Sequence, residues 1–336
     1  MNVLVTGATG FAGWHAAARL CEQGHRVRAL VRDLEKAKRH LSPLGIKDAD
    51  LIVGDMTDPS AVARALDDCD AVVHCAALVS VTAPGATDDA FEANVVGTRL
   101  VVGGACERGI QSILFVSSLT AIFDHRAGRV TADSPLVESP TRYGRSKAAS
   151  DAFVRSLQDE GHPVAIVYPS AILGPNDPGR SESMSAYRGF LRTMIDSDGG
   201  MQFIDARDLA ILFERILTGG THGRYVAAGS FCTWASLIAD IEEVTGARIG
   251  RIKAPGWVLR AFGRIADRIG GMTGRSFPMS FEAMEVATRW CEIEDSPEIS
   301  QMGIEWRDRK ETLADLYRWF AEQGAIKPGA VPRLMG

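Results

Sequence analysis

A glycine-rich turn near the start of this 336-residue chain constrains its fold more than any other feature. Val3–Thr6 is a short apolar run typical of a buried strand, and a helix is predicted over residues 11–22. Gly7, Gly10 and Gly13 lie between them. The first glycine permits a tight turn, the second lets backbone approach a pyrophosphate, and the third lets helix and strand pack closely. The helix N-terminus offers free N–H groups to phosphate, so the turn predicts a dinucleotide site.

Strands and helices alternate over the first 170 residues. The later predicted strands are Val27–Val31, Leu51–Val53, Ala71–His74, Ile113–Val116 and Val164–Tyr168. The predicted helices pass through Lys36 and Arg39, run from Asp58 as N-cap to Leu66, and cover 91–107 and 140–157. Continuous apolar strands are buried on both faces, and their alternation with helices indicates a parallel sheet. We therefore predict an α/β fold of Rossmann type, a doubly wound parallel sheet with a smaller, mostly helical C-terminal substrate domain.

The pattern changes after Pro169. Residues 174–179 have loop chemistry, Phe203–Leu217 has helix-like spacing, and Thr233–Thr245 is a predicted helix with Thr233 near its start. The remainder is predicted to be mostly helical. We expect residues 1–170, with 203–228 returning to them, to form the dinucleotide-binding domain. Residues 171–202 and 229–330 would form a cap over the carboxyl ends of the strands.

Composition excludes several classes of protein. The chain carries 37 basic and 42 acidic residues, a net charge of −5 that gives no reason to expect a nucleic-acid partner. Six cysteines without a C-x-x-C pair indicate reduced thiols, and no His, Asp or Glu cluster has metal-ligand spacing, so no metal is expected. No apolar run is long enough to span a membrane, and the N-terminus does not have the pattern of a signal peptide. We predict a cytoplasmic protein that acts on a small molecule, and leave a homodimer open.

The end of the second strand indicates which dinucleotide is bound. An NAD enzyme usually places an acidic residue there, whereas this chain has Val31 followed by Arg32. Further basic residues follow at Lys36, Lys38 and Arg39. An arginine suits a 2′-phosphate, and Asp33 is interpreted as the N-cap of the next helix. NADP is therefore predicted, with NAD still possible if Arg32 is only a surface charge.

Two further strand ends supply cofactor-binding candidates. Asp55 follows the third strand and can accept a hydrogen bond from the adenine amino group. Cys75, Ala76 and Ala77 follow the fourth strand and are small enough for backbone to lie against the cofactor.

A tyrosine and a lysine four residues apart, Tyr143 and Lys147, form the candidate catalytic pair. Residues at i and i+4 share a helix face, so the lysine charge can lower the tyrosine pKa from about 10 toward neutrality for proton transfer. Ser118, at the end of the fifth strand, can hold a substrate oxygen. Hydride transfer at a carbon–oxygen bond needs such a proton transfer, so the triad and the glycine turn point to the same chemistry.

Nearly the whole chain resembles the extended short-chain dehydrogenases/reductases of the NAD-dependent epimerase/dehydratase superfamily. The motifs that carry the resemblance are Thr6-Gly7-Ala8-Thr9-Gly10-Phe11-Ala12-Gly13, the Asp55 region, His74-Cys75-Ala76-Ala77, Asn94-Val95-Val96-Gly97-Thr98, Val116-Ser117-Ser118, Tyr143/Lys147, Pro169 through Gly174-Pro175, Phe203-Ile204-Asp205-Ala206-Arg207-Asp208-Leu209-Ala210 and Gly303-Ile304-Glu305-Trp306 through Trp319.

The resemblance implies a role for each of these positions. Tyr143 would be the acid/base, Lys147 would bind the nicotinamide ribose and tune the tyrosine, and Ser118 would orient the substrate. Ser118 is chosen over Ser117 because it lies 25 residues before the tyrosine, as in the family. The cofactor-binding positions that the resemblance adds are Thr9, Phe11, Ala12, Met56, Asn94, Val116, Pro169, Ser170, Ala171 and Ile172.

The branch of the family is less determined. Residues 27–33 and 203–208 are similar to the dihydroflavonol reductase and 3β-hydroxysteroid dehydrogenase branch. That resemblance implies an enzyme that interconverts a ketone or aldehyde and a secondary alcohol on a fairly apolar substrate. Ser118-Leu119-Thr120 lacks the carboxylates of dehydratases but has the Ser-x-Thr pattern of epimerases. A nucleotide-sugar epimerase with NAD is the second hypothesis, although 184–200 carries only Arg188 and Arg192 as basic residues. An NADP-sensing regulatory protein is the third.

One helix admits two interpretations. Residues 257–269 place Val258, Phe262, Ile265 and Ile269 opposite Arg260, Arg264 and Arg268. A basic amphipathic helix can lie on a membrane, but a cap-domain helix with one solvated face is the favoured prediction. His74 is predicted to be buried and His125 to lie in a surface loop near Ser118.

Overall fold

Strands and helices alternate through the computed structural model, which describes residues 1–78, 89–139, 142–178, 182–273 and 281–335. The strands are β1 (Asn2–Thr6), β2 (Arg26–Val31), β3 (Leu51–Val53), β4 (Ala71–His74), β5 (Ser112–Val116), β6 (Val164–Pro169), β7 (Ala171–Leu173), β8 (Thr193–Asp196), β9 (Gly200–Asp205), β10 (Gly223–Ala227), β11 (Ser230–Thr233) and β12 (Gly250–Lys253). The helices are α1 (Phe11–Glu22), α2 (Leu34–Leu41), α3 (Pro59–Leu66), α4 (Asp89–Thr98), α5 (Gly104–Glu107), α6 (Arg142–Asp159), α7 (Glu182–Phe190), α8 (Ala206–Gly219), α9 (Trp234–Thr245), α10 (Gly256–Thr273), α11 (Phe281–Arg289), α12 (Pro297–Gln301), α13 (Arg309–Glu322) and α14 (Pro332–Met335).

Seven parallel strands form the main sheet in the order β10-β6-β5-β4-β1-β2-β3. This confirms the predicted doubly wound parallel sheet of Rossmann type. The strand order reverses between β1 and β4, and a sheet of this kind binds its ligands in the crevice at that point, beyond the carboxyl ends of the strands. The glycine-rich turn, which follows β1, lies at this crevice.

The main sheet is buried on both faces, as the continuous apolar runs predict. Successive residues of β1 divide between two apolar cores: Val3 and Val5 belong to one, and Leu4 to the other. The first core packs against α1 and α8, and the second against α3 and α6. A third core, which contains Tyr187, Leu237 and Tyr317, joins α7, α9 and α13.

The predicted helix over Phe203–Leu217 is wrong at its start. Residues 203–205 are the end of β9, and α8 begins at Ala206. Asp205 caps that helix by accepting a hydrogen bond from the Arg207 N–H at 2.8 Å. A short apolar run of this kind fits a buried strand as well as a helix, which is why periodicity alone placed the boundary too early.

The prediction of a mostly helical remainder is confirmed, since β12 is the only strand among the described residues after Thr245. Between residues 171 and 233, however, the strands β7, β8, β10 and β11 were not predicted, and the end of β9 was taken for the start of a helix. β10 pairs with β6 and so forms an edge of the main sheet, while β9 lies between β7 and β11 in a smaller sheet, and β8 pairs with β12. The division of the chain into two domains stays a prediction.

Most predicted helix starts agree with the structure. Asp33 caps α2 through the Lys36 N–H, Asp58 caps α3 with Pro59 as its first residue, and Thr233 caps α9. The helix predicted over 91–107 begins at Asp89, and a π-helical turn at Arg99–Gly103 joins α4 to α5. The helix predicted over 140–157 corresponds to α6, and residues 140–141 lie outside the described chain.

Of the helices that the structure describes, none is both long enough and apolar enough to cross a membrane. All six cysteines lie within the described ranges and are free thiols.

Candidate active site

The turn after β1 has the conformation that its glycines predict. Gly7 adopts φ +73°, which favours glycine, and its carbonyl accepts a 2.8 Å hydrogen bond from the Gly10 N–H. A Cβ on Gly13 would lie 2.2 Å from the Gly7 oxygen, so a larger residue there would push the first turn of α1 away from the loop. A Cβ on Gly7 would lie 2.8 Å from the Ala76 nitrogen, which shows how closely the β1 and β4 ends approach.

The N-terminus of α1 fits a phosphate group. Its N-cap residue is Gly10, which has no side chain to satisfy the free N–H groups of the first turn. An anion is stabilised at such a position by these donors and by the helix dipole. Predicted residues Thr9, Phe11 and Ala12 are half-buried around this turn. The residues present therefore fit the pyrophosphate of a dinucleotide.

Arg32 and Asp55 lie next to each other beyond β2 and β3. The Arg32 Nη1 atom is 3.9 Å from Asp55 Oδ2, and both side chains are solvent-exposed. Asp55 also accepts hydrogen bonds from the Thr57 N–H and hydroxyl at 2.9 and 2.8 Å, which fix its orientation. A guanidinium and a carboxylate are thus available beside the crevice for a ribose 2′-group and an adenine amino group.

A buried chain of hydrogen bonds supports the loop after β4. His74 Nδ1 is 2.7 Å from the Thr6 hydroxyl, and its Nε2 is 3.2 Å from that of Thr98. Burial lowers the pKa of His74 to about 3, so the ring is neutral at ordinary pH, as expected of a buried histidine. The Thr6 hydroxyl also accepts from the Ala76 N–H at 3.3 Å. This network holds Cys75, Ala76 and the half-buried Ala77 at the crevice.

Asn94 is placed behind this loop. Its side chain accepts a 2.7 Å hydrogen bond from the Leu78 N–H and donates to the Leu78 carbonyl and to the Ser146 hydroxyl, at 3.1 and 3.0 Å. Its side-chain amide is therefore used to tie the β4 loop to α6. In the same motif, a Cβ on Gly97 would lie 2.6 Å from the Met56 side chain, so the glycine makes room for that residue.

The predicted triad comes together at the carboxyl end of β5. Lys147 is buried and donates a 2.8 Å hydrogen bond to the Val116 carbonyl. Its Nζ atom lies 6.0 Å from the centre of the Tyr143 ring. Tyr143 forms a hydrogen bond with Ser118, whose Oγ also accepts from the Thr120 hydroxyl at 2.9 Å. The Ser118 hydroxyl therefore links those of Tyr143 and Thr120, with the Lys147 ammonium beside the phenol ring.

The expectation that Lys147 lowers the tyrosine pKa toward neutrality is wrong for this structure. Burial raises the pKa of Tyr143 to about 12, and the hydrogen bond from Ser118 is the one contact that lowers this pKa. Burial also lowers the pKa of Lys147 to about 8, while nearby Cys75 and Asp151 raise it. Desolvation disfavours the charged form of both groups and is the largest influence on each pKa. Tyr143 is therefore a protonated phenol at neutral pH.

A second buried network behind the triad was not found by the sequence analysis. Ser117 donates a 2.6 Å hydrogen bond to Asp151, which is paired with Arg155 at 2.8 Å. Tyr168 donates to the same carboxylate at 3.1 Å and accepts from Arg155 at 3.0 Å. Ser117 is thus turned away from Tyr143, which leaves Ser118 as the serine beside the phenol. The spacing of Lys147, Asp151 and Arg155 along one face of α6 was the only available signal.

The segment from Pro169 to Ile172 connects β6 with β7 beside the triad. The Ser170 hydroxyl donates to the Ala228 carbonyl at 2.7 Å, and its N–H donates to the Ala227 carbonyl at 3.1 Å. Ala171 is exposed and Ile172 half-buried. The hydroxyl of Ser170 therefore fixes the backbone of this segment.

Aromatic side chains lie on the loop that follows Ser118. Phe123 stacks on Trp290 with the ring centres 4.4 Å apart. His125 Nε2 is 2.7 Å from the Arg289 guanidinium, which also pairs with Glu285 at 3.0 Å. The predicted loop histidine therefore contacts the end of α11, and the arginine beside it already has a carboxylate partner.

In the part of the chain that the structure describes, no three His, Cys, Asp or Glu side chains are grouped closely enough to hold a metal ion.

Comparison with known proteins identifies related chains over the full length. The model of the NAD dependent epimerase/dehydratase family matches residues 3–229. A Synechocystis protein named "Putative dihydroflavonol 4-reductase" is 27% identical over 96% of this chain and 95% of its own. Sterol demethylase protein B of Methylococcus capsulatus is 28% identical over 97% and 100%. The crystal structure of gox2253 matches with a TM-score of 0.81 and 26% identity, over 97% of this chain and 99% of that one.

Proposed function

Because the chain belongs to the NAD-dependent epimerase/dehydratase family, an enzymatic family whose members act with a nicotinamide dinucleotide, we propose that it is an NADP(H)-dependent oxidoreductase that interconverts a ketone or aldehyde and an alcohol. The observation that carries this proposal is the convergence of Ser118, Tyr143 and Lys147 beside the glycine-rich turn. Reductase-named relatives support it.

The cofactor would be held by the crevice between β1 and β4. The N–H groups at the start of α1 would bind the pyrophosphate, Arg32 the 2′-phosphate, and Asp55 the adenine. Val116, the β4 loop and residues 169–172 would line the nicotinamide end, with Lys147 at the ribose. When bound, the reduced nicotinamide supplies a hydride to the carbonyl carbon.

The side chains of this chain would handle the proton. The Ser118 hydroxyl orients the carbonyl oxygen, and Tyr143 donates its phenolic proton to that oxygen as negative charge develops. A tyrosine with a pKa of about 12 is fully protonated at neutral pH, which suits a proton donor. The Lys147 ammonium stabilises the tyrosinate that remains, and its hydrogen bond to Val116 keeps that charge in place.

The surroundings favour an apolar substrate. The Phe123 and Trp290 rings stack on the loop after Ser118, and Arg289 beside them is paired with Glu285. A nucleoside diphosphate would need unpaired cations in this region. We assign substrate binding to residues 171–202 and 229–330, with a cytoplasmic location and a small-molecule substrate as part of the proposal.

Thr120 gives the second candidate function its support. Its hydroxyl donates to Ser118, so the Ser-x-Thr pattern of epimerases is present as a connected pair. A nucleotide-sugar epimerase that retains NAD would use the same triad.

The test is a screen of ketones and secondary alcohols in which NADPH consumption or formation is followed by absorbance. Tyr143→Phe should lower turnover by about two orders of magnitude or more, the usual contribution of a positioned acid/base, and leave NADPH binding intact. Tyr225→Phe is the matched control, because that hydroxyl donates to the His222 carbonyl away from the triad. A Tyr143→Phe enzyme with wild-type turnover would rule the mechanism out.

A further inference from the structure

Helix α10 exposes the large apolar side chains that an amphipathic helix normally buries. The exposed fractions are 67% for Trp257, 55% for Phe262, 54% for Ile265 and 45% for Ile269. The favoured sequence interpretation, a cap helix with one solvated face, would place these side chains against the cap. In the structure, these apolar side chains instead form the face of the helix that is exposed to solvent.

The inner face of α10 is formed by three small residues and one leucine instead. Gly256, Leu259, Gly263 and Ala266 are buried, at spacings of three and four along the helix. A Cβ on Gly256 would lie 2.8 Å from the Thr288 side chain of α11, so the two helices are in close contact there. Arg260 donates to the Thr288 hydroxyl at 2.6 Å and so belongs to this inner contact. The packing of α10 is thus satisfied without the apolar residues on its outside.

Basic residues border the exposed apolar face. Residues 248–273 contain six basic side chains and one acidic one, in a chain whose net charge is −5. Arg264 and Arg268 are exposed, and within the described ranges no carboxylate lies within salt-bridge distance of either. The Arg264 guanidinium also lies over the Phe281 ring of α11, 4.5 Å from its centre, which holds the arginine at the border of the apolar face. Neighbouring strand β12 is exposed throughout and adds Ile252 and Lys253. An apolar face bordered by cations is complementary to the interface of an anionic bilayer.

We propose that the outer face of α10, formed by Trp257, Phe262, Ile265 and Ile269 with Arg264 and Arg268, docks the protein on anionic membrane surfaces. The helix would lie in the plane of the interface. Its apolar side chains would enter the region between headgroups and acyl chains, where tryptophan is favoured, and the two arginines would contact lipid phosphates. Docking does not depend on the reaction assigned to Tyr143, so the two proposals are tested separately.

The test is flotation of the full-length protein with vesicles of phosphatidylcholine alone or mixed with phosphatidylglycerol. Wild-type protein should float with the mixed vesicles, and brominated lipid should quench part of its tryptophan fluorescence. That quenching should be lost in Trp257→Phe, which keeps the other five tryptophans. The variant Phe262→Ser/Ile265→Ser/Ile269→Ser should lower the partition coefficient at least about tenfold because the apolar contact is lost. Val53→Ser, which changes an exposed valine on β3, is the matched control.

A second variant tests the electrostatic part. Arg264→Glu/Arg268→Glu should weaken binding to mixed vesicles by at least about fivefold for each arginine, and high salt should reduce wild-type binding. Arg108→Glu/Arg215→Glu should leave it unchanged. Circular dichroism establishes that each variant is folded. The proposal would be overturned if the wild-type protein did not bind the mixed vesicles. It would also be overturned if the protein bound no vesicles and instead formed a concentration-dependent dimer that the serine variant abolished.

Discussion

Lys147 Nζ donates a 2.8 Å hydrogen bond to the Val116 carbonyl, two residues before Ser118. This contact joins the second turn of α6 to the end of β5. It therefore fixes the position of Tyr143, one helical turn before the lysine, relative to Ser118. The ammonium is buried, and burial lowers its pKa to about 8. A lysine that titrates close to neutral pH makes the catalytic charge dependent on pH.

Reductase activity should therefore fall as the pH rises through about 8. Below that value Lys147 is charged and stabilises the developing tyrosinate, and above it the charge is lost while Tyr143 remains protonated up to about 12. The measurement is kcat/KM for ketone reduction from pH 6 to 10, which reports groups on the free enzyme. Lys147→Arg keeps a charge across this range, so any residual activity in that variant should lack the alkaline decline. A wild-type profile that is flat through pH 8 would contradict this role.

Asp151 should set where that decline occurs. Its carboxylate raises the pKa of Lys147, which lies one turn earlier on α6. Asp151→Asn should therefore move the alkaline limb of the kcat/KM profile to lower pH. Asp159→Asn, an exposed carboxylate at the end of the same helix, should leave the limb in place. If the alkaline limb of the kcat/KM profile is unchanged in Asp151→Asn, the carboxylate only stabilises the hydrogen-bond network with Ser117, Arg155 and Tyr168 and does not set the pKa of Lys147.

Arg32→Ala should weaken NADP binding by about 1.5–3 kcal/mol, the range for a hydrogen bond to a charged group. NAD binding should barely change, because NAD has no 2′-phosphate for the guanidinium to contact. Titration of both dinucleotides against wild type, Arg32→Ala and the control Arg108→Ala measures this. Tighter binding of NAD than of NADP by the wild-type protein would show that Arg32 is a surface charge.

Two buried histidines should make the fold sensitive to acid. Burial lowers the pKa of His74 to about 3 and of His15 to about 4, so both stay neutral in the folded protein while the unfolded chain takes up protons below about pH 6.5. The free energy of unfolding should decrease as the pH falls from 6.5 to 4, by about 1.4 kcal/mol per pH unit for each histidine. Urea unfolding across this range tests it.

Substitution separates the contribution of one histidine from that of the other. His74→Gln should reduce the pH dependence by about half, since His15 would remain. His222→Gln, an exposed histidine, serves as the control and should leave the slope unchanged. An equal slope in wild type and His74→Gln would show that His74 does not couple to acid unfolding.

The parallel sheet was predictable because local signals agreed with the final structure. Continuous apolar strands, caps at Asp33 and Asp58, and the glycine turn each specify their conformation within a few residues. Prediction was poorer after residue 200, where β9 was taken for the start of a helix and β10 was missed. Strand pairing there depends on residues far apart in the chain, such as Tyr225 of β10 beside Val167 of β6.

Residue types at fixed spacing indicated the triad, but its electrostatics depend on burial. The pKa values of Tyr143 and Lys147 are dominated by desolvation, which spacing alone does not report. The Asp151 network was missed for a related reason, since it joins α6 to β6 through Tyr168. Helix α10 was recognised as amphipathic, but only the packing of Gly256 against Thr288 of α11 and the burial of Gly263 show which side faces inward.

The most direct measurement is the cofactor content of purified protein together with its requirement for added cofactor. A reductase exchanges its dinucleotide in every turnover, so denatured protein should release little of it. Reduction of an apolar ketone should then consume added NADPH. An epimerase returns the hydride within one active site and retains its cofactor. Stoichiometric bound NAD, with interconversion of UDP-sugars in the absence of added cofactor, would contradict the reductase assignment.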